Sequence, residues 1–157
     1  MEMPKYGYSG VSRVSNEKDL FKAIEGHLTY FGYRMESEEG VLKALQGPPG
    51  YSLFWVFPIN QGATFRALFK VGPNAKADPA GFSNFLNQAN TLAVVSRFSA
   101  VENEFLSVAA WFPPSYTRES FAIFFNQYLA DIKAPALIDP ETVRRFFPIE
   151  GALPETG

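Results

Sequence analysis

The segment "TRESFAIFFNQYLADIK" (117–133) constrains the fold more than any other part of the chain. Phe121, Phe124, Phe125, Tyr128, Leu129 and Ile132 recur at three- and four-residue steps, so at 3.6 residues per turn they form a single buried stripe of a helix. Thr117 precedes the run and can cap its free amides.

Two further helices read the same way. In "SNEKDLFKAIEGHLTYFG", Asn16 or Ser15 can cap the start, and Leu20, Phe21, Ile24, Leu28 and Phe31 share a face. Gly32 ends this helix because it takes a left-handed conformation without steric cost. Asp78-Pro79 opens the next, "GFSNFLNQANTLA", with Phe82, Phe85, Leu86 and Ala89 turned inward. "GPNAKAD" before it reads as a loop. After an "APALI" connector, "DPETVRRFF" has the same cap-plus-proline start and makes a short terminal helix.

Between these helices, aromatic and β-branched runs alternate with Gly, Pro and Asn turns, the pattern of an antiparallel meander. "YRME", "VLKALQ", "YSLFWVF" and "TFRALFKV" are separated by "SEEG", "GPPG" and "NQG". In the last run Phe65, Ala67, Phe69 and Val71 alternate with Thr64, Arg66, Leu68 and Lys70, so one face meets water. A second hairpin, "VVSRFSAV" and "EFLSVAAWF", turns near Glu102-Asn103 and stops at Pro113-Pro114. The expected class is α+β: an antiparallel sheet of about five strands with helices packed on it. The expected order is α-β-β-β-α-β-β-α plus the short C-terminal helix.

Length and composition narrow what such a fold can do. With 157 residues the chain suits one domain, taken as residues 16–147 between a leader (1–15) and a tail (148–157). Sixteen phenylalanines are many to pack inside it, so either some lie on a surface that meets a partner or the core is unusually rich in rings. The net charge of −2 gives no global field toward nucleic acid or anionic lipid. There is no cysteine, which excludes disulfides, thiol catalysis and thiolate metal sites. The N-terminal "MEMPKYGYSG" lacks the apolar run of a signal peptide, and no stretch approaches the ~20 apolar residues of a membrane span, so a cytoplasmic protein is expected. The chain closes on Leu153-Pro154-Glu155-Thr156-Gly157, which resembles the sorting signal of sortase substrates; with no hydrophobic segment after it, it reads as an added ligation tag or as a native tail that coincides with the motif.

No catalytic constellation emerges. The one histidine, His27, lies in the first helix without a second ligand at metal spacing. "GYSG" and "GPPG" lack the strand-to-helix setting of a phosphate loop, and Ser52 lacks the second glycine of a nucleophile elbow. Glu36, Glu38 and Glu39 crowd a turn, where solvated charge is the ordinary explanation. Arg66, Lys70, Arg97, Arg144 and Arg145 with Phe65 and Phe69 do not make up a ribonucleoprotein strand motif. No enzyme activity, cofactor, metal, nucleic acid or membrane is therefore expected. Asn84, Asn87 and Asn90 fall at three-residue intervals on one helix flank. Asparagine is a mediocre helix former, so their amides are expected to bond loop or strand-edge backbone groups, or else a ligand.

The order of elements resembles the type III secretion chaperone-like fold, and in particular the YbjN-like family of bacterial regulators. The likeness is carried by "LFKAIEGHLTYFGYRMESEEGVLKAL", by "FLNQAN" with Asn87 and Asn90, and by "SYTRESFAIFFNQYLADI", over roughly residues 18–133. The resemblance implies dimers that hold partner polypeptides along the sheet or in hydrophobic grooves, with no catalytic residues. A sheet edge can bond an extended peptide while aromatic pockets select its side chains. The expected function is thus a non-enzymatic protein-interaction module and homodimer, with candidate contacts at Trp55, Phe57, Phe65, Phe69, Phe105 and Trp111, for each of which burial in the core is the competing assignment. The alternative is a small-molecule-binding regulatory domain, with a pocket between sheet and helices and Asn87 and Asn90 as anchors. Whether Arg144-Arg145-Phe146-Phe147 docks on the body stays open from sequence.

Overall fold

The computed structural model describes residues 17–45 and 54–147. The expected leader, the tail with its LPETG sequence, the "GPPG" turn and the Ser15 or Asn16 cap lie outside the described residues. Five helices, α1 (Glu17–Tyr30), α2 (Asn74–Ala77), α3 (Pro79–Leu92), α4 (Arg118–Ile138) and α5 (Pro140–Phe146), accompany six strands. The strands are β1 (Arg34–Glu38), β2 (Val41–Leu45), β3 (Phe54–Ile59), β4 (Gly62–Lys70), β5 (Ser96–Val101) and β6 (Phe105–Phe112). They make one antiparallel sheet in the order β1-β2-β3-β4-β6-β5.

The α+β class is as expected, with six strands rather than about five and four of them before α2. The hairpin turns follow their residue types. Glu39-Gly40 and Asn60-Gln61 take positive φ, the paired left-handed geometry that matches strand twist in two-residue hairpins, and Glu102-Asn103 take it within the three-residue turn 102–104. Gly32 at φ +100 carries the chain out of α1, and the Tyr33 N–H returns to the Leu28 carbonyl at 3.1 Å.

Caps behave as their sequences require. Asp78 accepts from the Gly81 N–H, Asp139 from the Thr142 N–H, and Thr117 and Ser120 close a reciprocal capping box. Two expectations change. "GPNAKAD" contains the one-turn helix α2, whose Ala75 is buried. "APALI" is no connector: α4 runs through it with Pro135 buried inside, because flanking alanines keep helical propensity and only one ladder bond is lost at the proline.

Alternation along the strands gives the sheet two unlike faces. Ala44, Phe54, Val56, Phe65, Ala67, Phe98, Val108, Ala110 and Phe112 point to one side and are buried there. Leu20, Ile24 and Leu28 of α1, Phe82, Phe85 and Ala89 of α3, and Phe121, Phe124, Phe125 and Tyr128 of α4 belong to the same core. Phe65 sits at its centre, with Phe54, Phe121, Phe124, Phe125 and Tyr128 all within 6.1 Å between ring centroids. Buried Tyr128 donates from its hydroxyl to the Val108 carbonyl at 2.8 Å, and burial pushes its pKa far up.

The C-terminal helix docks on the body. Phe146 is buried against Phe82 and Phe85, its carbonyl accepts from the Gly72 N–H at 2.7 Å, and Arg145 pairs with Asp78 at 2.7 Å. No helix of the described residues is long and apolar enough to cross a membrane.

Candidate functional site

The second face of the sheet carries Trp55, Phe57 and Ile59 of β3, Gly62, Thr64, Arg66, Leu68 and Lys70 of β4, Phe105, Ser107, Ala109 and Trp111 of β6, and Arg97, Ser99 and Val101 of β5. Rings and aliphatics stand open here: Trp111 is 45% exposed, Ile59 43%, and Leu68 and Val101 are exposed as well. Across β3, β4, β6 and the start of β5 runs an open groove of about 520 Å³, walled on one side by Val94 and Val95, with no helix residue in its lining.

Trp111 is fixed rather than loose. Its indole Nε1 donates to the Ile59 carbonyl at 2.8 Å, and the ring lies across Gly62. A Cβ at residue 62 would stand 2.6 Å from Trp111 Nε1 and against the Phe112 carbonyl oxygen. Glycine is therefore what lets the ring lie flat. Gly62→Ala is expected to cost about 1–3 kcal/mol by overpacking. Its HSQC spectrum should show the Trp111 indole N–H moved from its wild-type position, and an unmoved signal would contradict this account of the ring's seat.

The candidate contacts divide by face. Trp55, Phe57, Phe105 and Trp111 lie on the open side, as an interaction surface needs. Arg66 lies over the Phe57 ring at 5.7 Å and Lys70 over Phe105 at 5.2 Å, cation–π pairs that hold both rings against the sheet. Phe65 and Phe69 are corrections. They fall on the helix side, where Phe65 is 0% exposed and Phe69 packs against the core, so neither ring is offered to a partner. Strand alternation separates the two sets of residues, but it does not say which set the helices cover.

The asparagine flank also resolves. Asn90 Nδ2 donates to the Phe98 carbonyl at 3.0 Å and its Oδ1 accepts from the Phe98 N–H at 2.7 Å, so one amide satisfies both backbone groups of an edge residue. Asn84 and Asn87 are exposed. With Asn90 engaged by β5, it is no ligand anchor between sheet and helices, and the groove lies on the opposite face.

Two contributors, Asp131 and Ser107, were not singled out from sequence, and the pairing of Arg66 with Arg97 was not foreseen. Asp131 of α4, 1% exposed, accepts from the N–H groups of Val94, Val95 and Ser96 at 2.9–3.1 Å and from Gln127 Nε2 at 3.0 Å. Burial alone would raise its pKa. The bonds from Val94, Val95 and Gln127 and the nearby Ser96 hydroxyl outweigh burial and hold the carboxyl below its ordinary range. Asp131 thereby fixes the segment that rims the groove. Ser107, wholly buried in the lining, has a hydroxyl with no partner among the described residues. Arg97 and Arg66 both register with Ala109 of β6, one from each side.

Elsewhere, His27 Nδ1 meets the Tyr116 hydroxyl at 2.8 Å, and its ring packs against Phe31 and Phe121. Burial and the Arg118 charge lower its pKa. No group of three or more metal-ligating side chains occurs among the described residues.

Among the described residues the sheet is backed by helices on one side only, and the α+β fold is YbjN-like. The crystal structure of YbjN, a candidate transcription regulator from E. coli, matches with a TM-score of 0.59 over 80% of this chain and 93% of that one, at 17% sequence identity. No family model and no curated protein matches the sequence.

Proposed function

We propose that this protein is a non-enzymatic interaction module that receives a partner polypeptide across the open sheet face. The observation that carries the reading is the exposed groove bounded by the apolar side chains of Trp111, Phe57 and Val94 and floored by strands β4 and β6. The fold shared with YbjN supports a regulatory role. Holding the partner as secretion chaperones do, in the cytoplasm and as a homodimer, is part of the same proposal.

The face is favoured over an edge on physical grounds. Along β5, the edge groups of Ser96 and Phe98 are already bonded to Asp131 and Asn90. Along β1, the five-residue strand "RMESE" is short and charged, the character of edges that resist strand addition. An incoming segment therefore gains more from side-chain pockets than from backbone pairing.

The test is capture from native lysate with wild-type protein and with Trp111→Ala, each checked for unchanged folding. A polypeptide retained by the wild type and lost at least tenfold with Trp111→Ala supports the reading, since truncating a central aromatic anchor removes about 2 kcal/mol or more. Equal retention by both removes it. Solution mass decides the homodimer: twice the 17.5 kDa of one chain is expected, and a single-chain mass at working concentration refutes pairing.

A further inference from the structure

The groove that would receive a polypeptide is not merely apolar. Arg66 on β4 and Arg97 on β5 both register with Ala109 on the strand between them, so their backbones are about 10 Å apart, two strand spacings. Both side chains are exposed, and neither makes an ion pair among the described residues. The residues between and beneath them are small, Ala109 and Ser107, which leaves room for a group to settle between the two guanidinium forks.

Among the described residues the lining holds these two cations and no carboxylate. Ser107 supplies the independent sign of a polar occupant. Its Oγ is fully buried, lines the groove and has no partner among the described residues, and such a hydroxyl ordinarily requires a bonding partner.

We infer that this groove recognises an oxyanion, a carboxylate or a phosphate, borne by the partner polypeptide beside an apolar residue that lies on Trp111. The inference rests on the proposed open-face reading and gives its partner a chemistry. Arginine suits the task because its planar fork bonds two oxygens of a carboxylate or phosphate at once. Two such forks facing one small floor favour an acidic side chain over an amide of the same shape. The Arg66 guanidinium is already steadied over Phe57, so less freedom is lost on binding.

The experiment uses the full chain and three eight-residue peptides in which leucine alternates with glutamate, with phosphoserine or with glutamine. Binding is followed by NMR on the Nε–H signals of Arg66 and Arg97 and the indole N–H of Trp111. The glutamate or phosphoserine peptide is expected to bind on the order of tenfold more tightly than the glutamine peptide, and the better of the two identifies the oxyanion. Arg97→Gln, at an exposed position, should reduce that discrimination to about twofold or less, and a preference kept at its wild-type size would overturn the assignment to Arg97. Equal affinity for all three peptides, with Trp111 still shifted, overturns the oxyanion assignment but leaves the open-face reading standing. No shift of Trp111 with any peptide overturns the open-face reading itself. Binding of oligothymidylate at Arg66 and Arg97 with no peptide binding overturns the polypeptide assignment.

Discussion

Asp131→Ala should unfold at clearly lower denaturant than the wild type, with about 3 kcal/mol or more of stability lost. The carboxylate holds three consecutive backbone donors, those of Val94, Val95 and Ser96, and accepts a fourth bond from Gln127 one turn earlier in α4. Bonds to a charged acceptor are worth about 1.5–3 kcal/mol each, and removing the acceptor leaves donors that cannot all reach solvent. Val94 is 70% exposed and can recover through water, whereas Ser96 opens β5 behind the groove rim. The loss should therefore begin locally: β5 amides should lose hydrogen-exchange protection before those of β4. Urea melts with exchange by NMR would check both parts, and a loss under 1 kcal/mol would show that the bonds matter little.

The same group sets an acid limb. Its folded pKa lies below the ordinary value near 3.9, so the unfolded chain binds the proton more readily. The stabilisation is complete above the unfolded pKa and is lost as pH falls through the folded one. Wild type should therefore weaken below about pH 4 more steeply than Asp131→Asn, which cannot titrate there. His27 acts in the same direction at higher pH. With its folded pKa lowered from 6.5, its contribution is present above that value and fades as acid protonates the unfolded chain.

How much of this was legible in the sequence follows from where each signal resides. Helical stripes and caps are local, so the stripe from Phe121 to Ile132, the Asp78 cap and the Gly32 exit were readable. Turn chemistry at Asn60-Gln61 and Glu102-Asn103 was equally local. The strand count was blurred because "YRME" and "VLKAL" are short, charged in part, and joined by a two-residue turn. The groove was not readable, because it is a register between strands far apart in sequence: Arg66 and Arg97 meet only through Ala109. Asp131 left one trace. It lies three residues after Tyr128, inside the apolar stripe, and a carboxylate there must find bonding partners. Its partners, 35 to 37 residues away, gave no local sign.

Two rings on adjacent strands should respond in opposite ways to truncation, and the contrast tests whether the sheet has a covered and a bare side. Phe65→Ala is expected to cost about 3–5 kcal/mol, because it empties the centre of a cluster of five surrounding rings that helices α1 and α4 cannot close over. Phe57→Ala, on β3 facing the other way, removes a half-buried ring whose neighbours are Arg66 and the open groove. It should stay within about 1 kcal/mol, since water already reaches its surroundings and no sealed cavity forms. Its effect should appear in binding instead, as weaker capture of the polypeptide that Trp111→Ala also loses. Paired urea melts decide the matter. If Phe57→Ala destabilises the isolated chain as severely as Phe65→Ala, the second face is sealed in the monomer and has no room for a partner.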